Sequence, residues 1–554
     1  MKYLLTGVAA IAMLTACGEK DKPGTAEAPS GIVFSESKIP EYKVQNGDAG
    51  SAPAALAAMA LETSGAGNVS WGKKEVKGDK AVFTDVTLVS AGDDPDGSDG
   101  GMSFDADEDA FDLDGADLKA AKLEFDGLGM KDGKASFSRL VMSDVTLVPT
   151  DPEEADNGSG KIGSIELVNP SPETAAWVAG LFAGAEKEDL PKGDALAFDH
   201  WAMNDIDFRI DEPEGDKGTF SVKTVEVTGL KDSKAALMKL GGMAFDMTDQ
   251  AEGTDMTINL GSIEMRGADL KLLSEASEDA TDPEDVSRMM NLSQQDPANP
   301  GYESLSIDGF DMDLAGVKIS LPKLVSAVGH DKKNSVVAVK TEPFKVSLTT
   351  GEGKYGEQLG SQLAVLGYET VELNGEGYQT YEPEADLTTY VKGKNYWELK
   401  DGFRVDFSMK YAGAREMALA EQSQAQSYDI DPTAVLGNTL DKMVLHNMEF
   451  AIDDDGFLNR ALNAYAAQSG EDPQVVRNQL TGLLAMAPMM AGGTGIDAEL
   501  ISEASAALSS FVTSPKTLTI KLAPAEPLAM SALAEMEDPS MITKEKLGFA
   551  ASNQ

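Results

Sequence analysis

The sequence predicts an α+β protein that is mostly β: an elongated or curved antiparallel sheet built from repeated bulged strands, with inserted short helices and a helical C-terminal portion. Three observations predict this class. Apolar residues alternate with polar ones over many short stretches, and Asp, Asn or Gly interrupts the alternation at a recurring place. Helical periodicity is concentrated after Asp431.

The recurring pattern has two apolar residues two positions apart, then Asp, Asn or Gly two positions later, then often two more apolar residues. Its copies lie at Phe83–Leu88 and around Gly127, Asp144, Asp205, Gly267, Gly309 and Asn447. The step of three across the Asp, Asn or Gly would reverse the apolar face of a regular strand. A β-bulge restores the phase, and these residue types tolerate the positive φ that bulges often require. A turn between two short strands is the alternative. The irregular spacing of the copies argues against a strict solenoid.

Short helices are predicted between the strands and in the last portion of the chain. The inserted helices are expected at residues 51–62, 171–183, 231–240 and 282–292. The C-terminal helices are expected at residues 457–469, 472–490 and 497–512, before a strand at 517–522, and Pro488 predicts an early end to the second of them. The apolar stretch 480–490 contains three Met and is typical of a buried helix face. A lipid- or partner-binding groove is the alternative.

The first seventeen residues, MKYLLTGVAAIAMLTAC, resemble the signal peptide of bacterial lipoproteins. Lys2 precedes a short apolar run, and Leu14-Thr15-Ala16-Cys17 matches the lipobox at every position. The run is shorter than the about 20 residues that a helix needs to cross a bilayer. The resemblance implies cleavage before Cys17 and acyl chains, palmitate among them, on its sulfur and amino group. An ordinary secretory signal and a short membrane helix are the alternatives.

The same resemblance implies a location in the cell envelope. Gly18 stands where an Asp would signal retention in the inner membrane. We therefore expect an outer membrane lipoprotein whose body lies in the periplasm or at the cell surface. The chain divides into five parts. They are a signal peptide (1–16), a lipidated tether (17–50), a β-rich repeat region with inserted helices (51–300), a strand-rich region (301–430) and a helical C-terminal region (431–554).

Composition limits the partners and the chemistry. The formal net charge of -47, from 93 acidic and 46 basic residues, argues against nucleic acid and against a basic patch that binds anionic lipid. Cys17 is the only cysteine, so no intramolecular disulfide can form. The three histidines, His200, His330 and His446, form no zinc-binding motif, and no nucleophile elbow or phosphate loop is present. The sequence predicts no cofactor and no enzyme.

Two stretches could bind a ligand. Asp105, Asp107 and Asp109 imitate the start of a calcium loop, but Ala110 and Ala116 stand where that loop needs Gly and Glu. A solvated loop is the favoured interpretation, and these three aspartates are weak metal candidates. Aromatic residues also cluster within thirty positions, where cross-strand packing is favoured over a ligand-stacking surface. They are Tyr368, Tyr378, Tyr381, Tyr390, Tyr396 and Trp397.

From Lys80 to Phe450 the strand pattern resembles that of the AsmA-like periplasmic proteins, although a lipobox replaces their usual membrane helix. The resemblance implies an elongated sheet and lipid handling. The predicted function is a non-enzymatic envelope lipoprotein that holds or shuttles lipid or scaffolds envelope components. Its expected partners are the membrane, through the lipid on Cys17, and lipid or another envelope protein. A surface binding or adhesion module assisted by calcium is one alternative, and an envelope enzyme without a recognisable motif is another.

Overall fold

The structure is a computed structural model that confirms the mostly β class, with 51% strand and 23% helix. It describes residues 31–34, 38–89, 116–149, 158–185, 190–191, 195–211, 217–249, 254–272, 296–425, 442–490, 495–534 and 542–554. The chain forms two compact units. The N-terminal unit comprises Glu36–Thr281 and Gly301–Ala315, and the C-terminal unit comprises Met1–Ser35, Asp282–Pro300 and Gly316–Gln554.

The described part of the N-terminal unit contains antiparallel strands and helices. Its strands are β2 (Val69–Ser70), β3 (Lys73–Lys77), β4 (Lys80–Leu88), β5 (Ala116–Asp126), β6 (Gly129–Lys131), β7 (Lys134–Ser136), β8 (Arg139–Pro149), β9 (Gly158–Val168), β10 (Phe198–Asp211), β11 (Lys217–Leu230), β12 (Lys234–Asp249), β13 (Thr254–Asp269) and β14 (Ser304–Leu314). Its helices are α1 (Ala52–Ala58) and α2 (Pro172–Ala183). The main sheet pairs β3, β4, β5, β8, β9, β10, β11, β12, β13 and β14 in that order, while β6 and β7 form a separate hairpin.

The C-terminal unit contains a second set of antiparallel strands with helices after them. Its strands are β1 (Val33–Phe34), β15 (Val317–His330), β16 (Val336–Thr350), β17 (Thr370–Glu382), β18 (Leu387–Tyr390), β19 (Tyr396–Leu399), β20 (Phe403–Ala412), β21 (Val444–Asp454), β22 (Thr517–Leu522), β23 (Leu528–Ala529) and β24 (Phe549–Asn553). Its helices are α3 (Lys354–Val365), α4 (Ala414–Ala425), α5 (Phe457–Ser469), α6 (Pro473–Met490), α7 (Ala498–Thr513), α8 (Met530–Ala534) and α9 (Lys544–Leu547). Val33 and Phe34 pair with β15.

The predicted interruptions line up across the N-terminal sheet in a first kink row. The residues of this row have no directly paired partner, and their φ is positive on every second strand. The row is Asp85, Ala121, Asp144, Gly163, Asp205, Lys223, Gly242, Gly261 and Gly309. Asp85, Asp144 and Asp205 have φ of 55°, 51° and 54°. Because both strands of each pair skip one residue, the register does not shift, as it would at a two-against-one bulge.

A second kink row lies six residues along each strand from the first, as Asp199 and Asp205 show on β10. Its positive-φ members occupy the intervening strands. They are Gly127 (68°), Asn169 (47°), Gly229 (66°) and Gly267 (60°). The two rows together divide the sheet into bands that share one apolar face.

The structure confirms that the kinks keep the apolar face in phase. Phe83 and Val86 lie on either side of Asp85 and are both buried, and most copies run through one continuous strand. The alternative of a turn holds at Gly127, where β5 ends and the β6–β7 hairpin follows. At the copy around Asn447 the pairing of β20 with β21 does shift, and His446 is the extra residue.

Most predicted helices are present, with three differences. Residues 231–240 form a turn and the start of β12, because Asp232 and Ser233 both have positive φ and close a tight hairpin. Helix α6 continues to Met490 although Pro488 lies inside it and cannot donate to the Leu484 carbonyl. Helices α3, α4, α8 and α9 were not predicted. The helix expected at residues 282–292 lies outside the described residues.

Residues 38–48, named here the strap, lie along the second kink row on the surface of the N-terminal unit. Asn169 Nδ2 donates to the Lys43 carbonyl at 2.9 Å, and the Tyr42 ring stacks on His200 with centroids 5.0 Å apart. The Gly47 N–H donates to Asp79 Oδ2 at 2.9 Å. This part of the expected tether is therefore bound to the sheet.

Candidate functional site

The predicted site residues cannot be placed. Cys17, Asp105, Asp107 and Asp109 lie outside the described residues. Within the part of the chain that the structure describes, no group of three or more His, Cys, Asp or Glu side chains is arranged to hold a metal ion. The candidate site comes instead from the sheet of the N-terminal unit.

Strands β10 to β14 carry a grid of paired apolar residues, named here the open face. Directly paired residues of antiparallel strands lie on the same face of the sheet, and every position of the four rows is apolar. The rows are Trp201, Val227, Met238, Met265 and Leu305; Met203, Val225, Leu240, Ile263 and Ile307; Ile206, Val222, Met243, Leu260 and Phe310; and Phe208, Phe220, Phe245, Ile258 and Met312.

The same rows continue onto β4 to β9, where they are covered. In that half Phe83, Leu123 and Phe125 are at most 1% exposed, beneath side chains such as Leu56 of α1 and Phe182 of α2. The Phe125 and Phe182 rings lie 6.2 Å apart in an edge-to-face contact. The described helices of this unit pack over this half of the sheet, so its apolar residues form an ordinary core.

The open face differs from the covered half in burial rather than in composition. Only its members Met203, Ile206, Val222 and Leu260 are buried, and the others are half-buried. The core cluster that contains the α1 and α2 side chains reaches Val222 of β11 and has Leu240 and Met243 of β12 at its edge, and no described residue of β13 or β14 belongs to it. Half-buried methionine and phenylalanine side chains on a contiguous sheet face are typical of an adaptable apolar binding surface.

The open face is wide enough and long enough to accommodate an acyl chain. Five strands spaced about 4.8 Å apart span roughly 19 Å, and the seven residue steps from Trp201 to Phe208 span about 23 Å along the strand. One leaflet of a bilayer core is about 15 Å thick, which is half of its roughly 30 Å. An acyl chain can therefore lie on this face in either direction.

Charge is confined to the opposite face of the same strands. There Arg266 Nη2 lies 2.7 Å from Glu264 Oε1 on β13, and on the neighbouring β8 and β9 Arg139 Nε lies 2.5 Å from Glu166 Oε1. His200 Nδ1 is 3.1 Å from the Thr228 hydroxyl and is buried beneath Tyr42 of the strap. The open face thus carries no charged side chain in its four rows, and the charged side chains of these strands lie on the opposite face.

The sequence pattern identified part of the open face. The copies around Asp205, Gly267 and Gly309 contain members from β10, β13 and β14. Members on β12 were missed, since Met238 and Leu240 were assigned to a helix. The signal that finds them is the same step of three, here across Gly242 from Leu240 to Met243.

Comparisons with known proteins give no function. Residues 396–554 match a family model that is described only as an uncharacterized protein. No curated protein matches the chain. The matched stretch runs from β19 to β24 and includes α6.

The aromatic cluster of the C-terminal unit packs rather than presenting a stacking surface, as the favoured interpretation predicted. Tyr368, Tyr378, Tyr381 and Tyr396 are at most 7% exposed. The Arg404 guanidinium lies 3.1 Å above the Tyr396 ring centre and binds Asp406 with bonds of 2.7 and 2.9 Å. Burial raises the pKa of Tyr381 and of Tyr396 to about 12, because the phenolate would lose its hydration.

The prediction of a buried face on residues 480–490 is wrong. Leu483, Met486, Met489 and Met490 are 58%, 50%, 83% and 72% exposed. Helix α6 packs against α7, and at its other end Val476 is buried with Leu462 and Ala466 of α5. Among the described residues, no helix is long and apolar enough to span a membrane.

Proposed function

We propose that the protein is a non-enzymatic envelope lipoprotein, anchored in the outer membrane through acyl chains on Cys17, that holds or shuttles lipid on its open face. The observation that carries this proposal is the half-buried grid of paired apolar residues on β10 to β14. The lipobox supplies the anchor, and the open face supplies the binding surface.

Lipid is the occupant that the chemistry of the open face favours. A folded protein partner would bring polar groups that need hydrogen-bond partners, and these rows contain none. An acyl chain needs no such partners and gains about 0.8 kcal/mol per buried CH₂. The flexible Met side chains adapt to chains of different length, which suits a carrier more than a selective receptor.

The experiment compares two neighbouring residues of β11 that lie on opposite faces. Phe220 belongs to the open face, whereas Thr219 is exposed and pairs with Asp246 on the ionic face. We expect the full chain to carry lipid detectable by native mass spectrometry and to bind a phospholipid with a fluorescent acyl chain. Phe220→Lys should weaken that binding by roughly tenfold, which corresponds to about 1.4 kcal/mol, while Thr219→Lys should leave it unchanged.

Two further measurements keep the result interpretable. Thermal unfolding followed by circular dichroism identifies a variant that has lost its fold, and Phe220→Leu should retain binding because it keeps an apolar side chain. The proposal would be contradicted if the purified protein carried no non-covalently bound lipid and did not bind the fluorescent lipid. The anchor is tested by intact mass, which should show cleavage before Cys17 and added acyl chains.

A further inference from the structure

The C-terminal half of α6 presents an apolar tip to solvent. The tip consists of Leu483, Met486, Met489 and Met490, each at least 50% exposed. Their spacing places them on one side of the helix, around its last two turns. Apolar side chains of the described core are buried to a few per cent, so four exposed ones on one side of a helix mark a contact surface.

The chain gives this tip no charge. From Asn478 to Ile496 the sequence contains no Asp, Glu, Lys or Arg, in a protein with a net charge of -47. Arg477 is the one charged residue of the helix and lies toward its other end, where its guanidinium bonds to the Val512 carbonyl and to Asn459. The N-terminal part of α6 is therefore bound to neighbouring elements, and its C-terminal tip is neutral and apolar.

The length of chain before the described structure limits what the tip can reach. Gly31 is the first described residue, and Val33 and Phe34 pair with β15 in the same unit as α6. The fourteen residue steps from Cys17 to Gly31 span at most about 50 Å. An acylated Cys17 would hold Gly31 within that distance of the bilayer, so the unit that carries the tip stays at the membrane surface.

We propose that the tip of α6 inserts into the bilayer that holds the lipid anchor and gives the C-terminal unit a second membrane contact. This inference rests on the anchor of the proposed function. The insertion is shallow, because the last carbonyl groups of α6 and the carbonyl of Leu484, which faces Pro488, need water or headgroup partners. It is also independent of anionic lipid, since the tip has no cation to attract it.

The experiment uses the single-cysteine character of the chain. In Met489→Cys the new side chain is the one free thiol if Cys17 is a thioether, and an environment-sensitive NBD dye can be attached to it. The matched control is Glu471→Cys, exposed in the turn before α6 and about 27 Å away along the helix axis. Each full-length labelled protein is reconstituted on phosphatidylcholine vesicles, with and without added phosphatidylglycerol.

We expect NBD at position 489 to brighten several-fold, shift to the blue and be quenched by lipids that carry a quencher on the acyl chain. The dye at position 471 should remain water-like, and neither phosphatidylglycerol nor high salt should change the result. A water-like dye at position 489 on vesicle-bound protein would overturn the inference. The same blue shift in a dimeric protein without vesicles would also overturn the inference, because the tip would then be covered by a second copy of the chain.

The labelling experiment distinguishes a wrong proposal of acylation at Cys17 from a wrong proposal of membrane insertion by the tip. Labelling of the unsubstituted chain would report a free thiol at Cys17 and would overturn the anchor, and with it the argument from tether length. An unlabelled parent chain together with a water-like dye at position 489 would overturn the tip alone.

Discussion

Gly163 of β9 faces Asp205 of β10 in the first kink row, and a Cβ added to Gly163 would lie 2.9 Å from the Asp205 Cβ. Different constraints fix the residue type at these two positions. Asp205 has a φ of 54° and needs a residue that tolerates this region, whereas the φ of Gly163 is not in that region and its side chain is excluded by space. The row thus requires small or permissive residues on alternate strands.

Gly163→Ala should destabilise the N-terminal unit by about 1–3 kcal/mol, as overpacking of a close contact does. The measurement is the urea midpoint followed by circular dichroism. The matched control is Gly482→Ala in α6, where nothing lies within 4 Å of the added Cβ. That control should stabilise its helix by up to about 1 kcal/mol. Equal effects of the two substitutions would contradict the packing of the kink row.

Asp144→Val should cost about 1–2 kcal/mol, because a β-branched residue rarely adopts a positive φ. Asp144 is exposed and has a φ of 51°, so the substitution changes no core contact. Asp144→Gly is the control and should stay within about 1 kcal/mol of the parent protein, since glycine adopts this conformation freely. The two chemical unfolding curves separate the variants, and a Val variant as stable as the Gly variant would refute the strain.

Stability should fall as the pH rises from about 10 to about 12. Burial raises the pKa of Tyr381 and Tyr396 to about 12 in the folded chain, while a tyrosine in an unfolded chain ionises near about 10. The stability from these two groups is fully present below about pH 10 and is lost through about pH 12, on the order of 2 kcal/mol for each.

The measurement for the alkaline transition is phenolate absorbance recorded together with circular dichroism. Tyr396→Phe should reduce the loss of stability over this range. Ionisation of all twelve tyrosines near their usual pKa, with the fold intact, would contradict the prediction.

Asn169→Gly should release the strap. Glycine accepts the φ of 47° at this position but removes the amide that donates to the Lys43 carbonyl and, at 2.6 Å, to Asp199 Oδ2. We expect trypsin to cleave after Lys43 several-fold faster, because that segment is exposed and held by few bonds. Asp205→Gly, which leaves the strap contacts intact, should not change the cleavage rate. An unchanged rate in the Asn169 variant would show that the strap is held otherwise.

Local patterns predicted the strands, the kinks and the C-terminal helices because each depends on residues close in sequence. The step of three around Asp85 indicates both the kink and the fact that the apolar side chains before and after it lie on the same face. The hairpin at Asp232 was missed because Ala, Leu, Met and Lys favour a helix, and only the pairing of β11 with β12 overrides them.

The open face and the tip could not be predicted from periodicity, because the same apolar pattern serves covered and uncovered surfaces. Phe83 and Val225 belong to the same row of the sheet, yet Phe83 is fully buried and Val225 is only half-buried. Which half of the sheet is covered depends on where α1 and α2 return in space. The exposure of Met489 depends likewise on how α6 sits against its neighbours.

The six-residue interval between the kink rows fixes the pairing register of the strands. Pairing is then set by positions inside the strands, so the segments that join them are free to change length. The chain uses this freedom between β4 and β5, which are separated by the acidic stretch and still pair, with Leu88 opposite Leu118. An affinity tag spliced into that connection should leave every strand in place, and a duplicated hairpin that kept the interval would extend the sheet by two strands.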